Sequence, residues 1–133
     1  MRITRRVPAL IMLAAALGVG LWPGGAQEKA AGQYLAFVGT YTDKTSSKGI
    51  YAYRYDAATG KMTELGVAAE TANPSWLVVH PNGQFLYAVN ESGKESKISA
   101  FRIDSTTGKL SLLNQMSAMG KDPYYISLDR TGK

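Results

Sequence analysis

The sequence contains no cysteine and a single histidine, His80. No disulfide can form, so stability has to come from packing whatever compartment the chain occupies. One histidine without a thiolate offers no zinc spacing. No acidic stretch has the spacing of a calcium loop. No Gly-x-Ser-x-Gly is present, which disfavours a hydrolase built on a serine elbow. No metal and no cofactor is therefore expected. Basic residues also thin out after the first few positions. The formal net charge is +5, and Arg2, Arg5 and Arg6 supply three of those charges. The remaining +2 forms no basic block, so a nucleic-acid surface is not expected. The longest apolar run, residues 7–22, is shorter than the about 20 residues a membrane span requires.

That run reads instead as part of an export signal. Three arginines precede it, and Pro23-Gly24-Gly25-Ala26 follows, with small residues at −3 and −1 of a cut after Ala26. This is the layout of a secretory signal peptide over residues 1–26. An uncleaved signal anchor is the alternative. Residues 27–33 read as a polar tail. The mature protein is expected in the periplasm or secreted, with no membrane attachment after cleavage.

The rest of the chain carries one pattern twice. Ile50-Tyr51-Ala52-Tyr53-Arg54-Tyr55-Asp56 and Thr59-Gly60-Lys61 return as Ile98-Ser99-Ala100-Phe101-Arg102-Ile103-Asp104 and Thr107-Gly108-Lys109, 48 residues later. Asn73-Pro74 and Gly83 return as Asp122-Pro123 and Gly132, 49 residues later. A fixed period of this length signals repeat architecture. Runs rich in branched and aromatic residues predict strands at 34–39, 50–55, 62–67, 76–79, 85–90, 98–103, 110–116 and 124–128. The apolar run Trp76-Leu77-Val78-Val79 suits a strand buried on both faces. Tyr51, Tyr53 and Tyr55 alternate onto one face, as packing between repeats would require. No helix is expected beyond the signal. Four short antiparallel strands per repeat is the pattern of a propeller blade, so the fold class is all-β, with incomplete β-propeller blades over 34–133. Two blades cannot close a ring. The sequence is expected to be the N-terminal piece of a protein whose ring needs roughly 290–390 residues, monomeric when complete.

These residues resemble a known family. Phe37-Val38-Gly39-Thr40-Tyr41-Thr42, Lys48-Gly49-Ile50-Tyr51, Asn73-Pro74-Ser75-Trp76-Leu77, His80-Pro81-Asn82-Gly83, Leu86-Tyr87-Ala88-Val89-Asn90-Glu91 and the two Thr-Gly-Lys turns are similar to the seven-bladed lactonase propellers, which include bacterial 6-phosphogluconolactonase and fungal muconate-lactonising enzymes. The resemblance implies a lactone hydrolase acting on a small sugar-acid lactone. It departs from the family at Tyr124-Tyr125, where relatives often carry Cys-His. The His, Arg and Glu usually discussed as catalytic in the family belong to later blades, and no position of this sequence matches them.

Connections in a blade alternate between two ends. At one end lie 56–61, 80–84, 104–109 and 129–133, which are tight, repeated and turn-like. At the other lie 40–48, 68–75, 91–96 and 117–123, which are longer and differ between copies. Variable loops on a rigid scaffold are where sites usually lie. Ring-opening of a lactone needs a base to activate water and donors for the oxyanion. The candidates at that end are Tyr41, Glu70, Asn73, Trp76, Asn90, Glu91, Lys94, Lys121 and Tyr125. Glu91 directly follows a buried strand and is the expected base. Tyr41, Asn73, Trp76, Asn90 and Tyr125 are the expected substrate contacts. Four of these also have a structural reading: a solvated carboxylate for Glu91, inter-blade packing for Trp76 and Tyr125, a strand-end or turn cap for Asn90. His80 reads as a turn residue. Asn90-Glu91-Ser92 matches a glycosylation sequon, a short pattern common by chance. The alternative function is a non-catalytic propeller that binds a ligand or protein partner outside the cytoplasm.

Overall fold

The computed structural model describes residues 32–133. The expected signal peptide and most of the tail lie outside the described residues. Seven strands form two antiparallel sheets. The first holds β1 (Gln33–Gly39), β2 (Gly49–Asp56) and β3 (Lys61–Glu70) in that order. The second holds β4 (Pro74–Val79), β5 (Phe85–Asn90), β6 (Lys97–Ile103) and β7 (Leu110–Ser117). Every sequential pair is a neighbour, so each sheet is a meander, as a blade requires.

The repeated turns are built alike. Asp56 Oδ1 accepts the amides of Ala58 and Thr59 at 2.9 and 3.0 Å. Asp104 Oδ1 accepts those of Thr106 and Thr107 at 2.9 and 3.3 Å. The chain then closes through Gly60 and Gly108, both at φ 74°. An aspartate that bonds forward and a residue free to take positive φ are what this turn demands.

The sheets stack face to face. Ile50, Ala52 and Ala68 of the first meet Leu86, Ala88, Phe101 and Leu110 of the second in one buried cluster. At the inner edge, Gly39 lies so close to the Pro74 carbonyl that a Cβ would collide with it. At the other side, the turn after β6 sits on the first sheet. Arg54 Nη2 donates to the Thr106 carbonyl at 2.8 Å, and Lys109 Nζ donates to the Val67 carbonyl at 2.7 Å.

Four expectations are corrected. The strand at 76–79 is not buried on both faces: Trp76 and Val79 are 43% and 46% exposed. It is an edge strand of its sheet, hydrogen-bonded on one side only, to β5. The segment 124–128, expected as a strand, is irregular. Backbone groups of a strand need a ladder partner, and none lies within residues 32–133. The outer strand β3 runs on to Glu70, further than expected, through two register shifts against β2. A short 3-10 turn, Gly93–Glu95, occupies part of the loop after β5, where no helix was expected. The face of β2 buried against the second sheet is that of Ile50 and Ala52. Tyr51, Tyr53 and Tyr55 project from its opposite face, away from this interface.

Candidate functional site

The four variable loops meet at one end of the two sheets. Backbone bonds tie them together: Thr71 N–H to Lys48 O at 3.1 Å, Glu91 N–H to Asn73 O at 3.1 Å and Ala118 N–H to Ser96 O at 3.0 Å. The turn end, with His80, is opposite. His80 Nδ1 accepts the Asn82 amide at 3.2 Å, and its ring stands edge-on to Phe85, which is a turn role.

Tyr41 and Glu91, both expected at the site, are brought together from loops that follow strands of different sheets. The Tyr41 hydroxyl donates to Glu91 Oε2 at 2.9 Å, and Tyr41 is 56% exposed. This bond raises the Tyr41 phenol above its ordinary pKa, and partial burial and the charges of Glu91 and Asp122 push the same way. Ionisation would forfeit the hydrogen bond and set two anions side by side. The pair therefore presents a neutral phenol donor clamped to one carboxylate oxygen, with Oε1 left to meet a water or a substrate hydroxyl.

Asn73 lies beneath this pair and is 4% exposed, with φ 41°. Its Oδ1 accepts Thr42 N–H at 2.8 Å, the Thr42 hydroxyl at 3.1 Å and Asp43 N–H at 3.2 Å. Its Nδ2 donates to Asp43 Oδ2 at 2.8 Å and to the Glu91 carbonyl at 2.9 Å. Asn90 is equally buried. Its Nδ2 donates to Thr71 Oγ1 at 2.9 Å and to the Ala72 carbonyl, and its Oδ1 accepts the Ser99 hydroxyl. Gln115 Nε2 in turn donates to Ser99 Oγ at 2.8 Å. Both amides, expected against substrate, are thus engaged inside the protein, where a buried amide has to find partners.

Trp76 and Tyr125, from equivalent places in successive repeats, stack at 4.9 Å between ring centroids with planes tilted by 52°. Both rings stay exposed. Glu70 is held away in a surface ion pair with Lys48 at 3.2 Å, a contact of little energetic weight. Lys94 and Lys121 are exposed on the loops.

Nothing in the sequence alone marks Asp43 or Asp122 as a site residue. Asp122 repeats the geometry of Asn73: φ 44°, a following proline, and Oδ1 accepting an amide of the preceding loop, Gly93 N–H, at 2.6 Å. The equivalence of the two positions is visible as Asn73-Pro74 and Asp122-Pro123 one period apart. Asn and Asp tolerate the left-handed region, and their short side chains reach neighbouring amides. Among the described residues, no group of three His, Cys, Asp or Glu side chains could hold a metal ion. A groove of about 370 Å³ opens between the sheets, lined by Glu70, Thr71, Asn90, Glu95 and Leu112 among others.

A family model described as lactonase, 7-bladed beta-propeller, matches residues 35–133. A 6-phosphogluconolactonase of Formosa agariphila is 38% identical over 99 residues, covering 73% of this chain and 28% of the relative. One from Bacillus subtilis is 32% identical over 97 residues, with the same coverage. The solved structure of Pseudomonas aeruginosa periplasmic gluconolactonase superposes with a TM-score of 0.69 at 36% identity, covering 76% of this chain and 29% of that one. The chain thus spans little more than a quarter of the length of these relatives.

Proposed function

Because the chain belongs to the lactonase family of seven-bladed β-propellers, we propose that the full-length protein hydrolyses an unphosphorylated sugar-acid lactone outside the cytoplasm. The observation that carries the site assignment is the Tyr41–Glu91 hydrogen bond at the loop end. In the proposed step, Glu91 Oε1 takes a proton from a water that attacks the lactone carbonyl. The tetrahedral oxyanion collapses, the ring C–O bond breaks, and the leaving alkoxide takes the proton held on Glu91, which gives the open acid and restores the carboxylate. Donors for the oxyanion would come from elsewhere in the ring.

Two features support a neutral sugar. Glu91, through a direct bond and its charge, and Asp122, through its charge, act on Tyr41, and Asp43 is held close by through Asn73, a setting that disfavours a phosphate. The exposed Trp76–Tyr125 pair offers ring faces to the apolar side of a sugar. Tyr125 then works by stacking where relatives often carry histidine. Export rests on residues 1–26 as a signal peptide, in keeping with a periplasmic relative among the solved structures. Among the described residues no helix is long and apolar enough to cross a membrane.

The test is hydrolysis of glucono-1,5-lactone and of its 6-phosphate by the full-length protein, corrected for spontaneous opening. The neutral lactone is expected to be the better substrate. Glu91→Gln is expected to lower kcat about 10²- to 10⁴-fold, the usual contribution of a positioned base. No rate above the spontaneous one for either lactone would overturn the reading. Binding of gluconate without turnover would instead favour a ligand-binding propeller.

A further inference from the structure

We propose that Asn73 is the positioning residue of this site, the side chain that fastens the β1–β2 loop of one blade to the backbone of Glu91 in the next and so sets the Tyr41–Glu91 hydrogen bond. The inference rests on the assignment of Glu91 above, and the experiment below separates the two.

Tyr41 and Glu91 are 50 residues apart, in loops that follow strands of different sheets. Side chains on separate elements keep a 2.9 Å hydrogen bond only if their backbones are held in register. Asn73 holds both. On one side it binds Thr42 and Asp43, the residues directly after Tyr41. On the other it is joined to Glu91 twice, by its own carbonyl accepting Glu91 N–H and by Nδ2 donating to Glu91 O. Thr42 Oγ1 also accepts the Asn73 amide at 3.2 Å. Tyr41 itself makes no bond to Asn73, and neither does the Glu91 carboxylate, so the effect of Asn73 on chemistry has to pass through the loops.

The residue type is dictated by this arrangement. Oδ1 takes three donors and Nδ2 supplies two bonds, so acceptor and donor must share one short planar group. Aspartate could accept but would face Asp43 Oδ2 and the Glu91 carbonyl without a proton to give. Glutamine would overshoot, and most other residues resist φ 41°. The next repeat uses the position in the same way: Asp122, at φ 44°, accepts Gly93 N–H through Oδ1 at 2.6 Å.

The test uses the full-length protein labelled with [13Cζ]tyrosine. The Tyr41 resonance is assigned with Tyr41→Phe and titrated without substrate. Asn73→Gly keeps the backbone conformation accessible and removes every side-chain bond. Its Tyr41 pKa is expected to fall to that seen in Glu91→Gln. Asp104→Ala, at the opposite end, serves as a destabilised control and is expected to leave Tyr41 unmoved. Thr42→Val, which removes one strand of the latch, is expected to shift Tyr41 in the same direction by less, and stands in if Asn73→Gly does not fold. In the lactonase assay, Asn73→Gly is expected to lower kcat about 10- to 100-fold with KM nearly unchanged, as misplaced catalytic groups do. A Tyr41 titration identical to wild type in folded Asn73→Gly or Thr42→Val overturns the proposal. Because the titration needs no turnover, it decides the matter even if the protein proves inactive on both lactones.

Discussion

Tyr41 loses two things on ionising: its hydrogen bond to Glu91 and its distance from a second negative charge. Its folded pKa is therefore raised above the ordinary 10.0 of the unfolded chain. A raised pKa contributes stability that is fully present below the unfolded value and is lost as pH rises through the folded one. Wild type is expected to exceed Tyr41→Phe in stability at pH 8, with the gap closing above pH 10, as followed by urea denaturation across pH. A gap independent of pH would mean that Glu91 and Tyr41 do not share the bond. The residue scale is also where sequence reading fell short. Glu91 and Tyr41 could be named as candidates because of their loops, but that they touch could not. Asn73 and Asn90 were assigned to substrate because an asparagine at a loop end reads the same whether it faces solvent or backbone. Only the partners distinguish the two, and those come from residues 9 to 31 positions away.

The repeated hairpin shows what an element can say by itself. The Asp104 carboxylate accepts the Thr107 hydroxyl and the amides of Thr106 and Thr107, which together hold its pKa below the ordinary 3.8. A depressed pKa contributes stability present above the unfolded value and lost as pH falls through the folded one. Asp104→Asn is expected to destabilise at neutral pH, and the deficit to shrink below about pH 3.8, in thermal melts at stepped pH. The same turn carries Gly108, where both conformation and space are spoken for. A Cβ would sit 3.0 Å from Ala52 Cβ and from Leu65 Cδ1, at φ 74°. Gly108→Ala is expected to cost about 2–4 kcal/mol, from left-handed strain and overpacking together, measured by chemical denaturation. Such turns were legible in advance because an Asp, a Thr and a Gly at fixed offsets satisfy their own backbone locally. The end of β3 and the irregular path of 124–128 were not, since a strand exists only where a neighbour supplies its ladder.

At the scale of the molecule, Gly60 is the informative counterpart of Gly108. It has the same φ and the same local bonds, yet no atom of the described residues lies within 4 Å of where its Cβ would be. In a seven-bladed ring, a preceding blade would stand where the first sheet stands for Gly108. Gly60→Ala is then expected to cost about as much as Gly108→Ala in the full-length protein. A cost near 1 kcal/mol, left-handed strain alone, would mean that no blade covers that face. The exposed Tyr55 of β2 and the exposed Trp76 and Val79 of β4 carry the same message. A blade is apolar on both broad faces, and any pair of blades leaves two of those faces uncovered.

Strand content, the repeat of about 48 residues, the turn chemistry and the end of the molecule that carries variable loops are all present in residue order. They depend on contacts between near neighbours and on alternation along a strand, which the order of residues specifies directly. The meeting of Tyr41 with Glu91, the latch at Asn73, the buried line through Asn90, Ser99 and Gln115, and the stacking of Trp76 on Tyr125 depend on how one sheet is set against the next. That setting arises from the close approach at Gly39 and Pro74 and from the fit of Ile50 and Ala52 against Leu86, Ala88 and Phe101. Side-chain shape across an interface is a property of two surfaces at once, and no single stretch of chain encodes it.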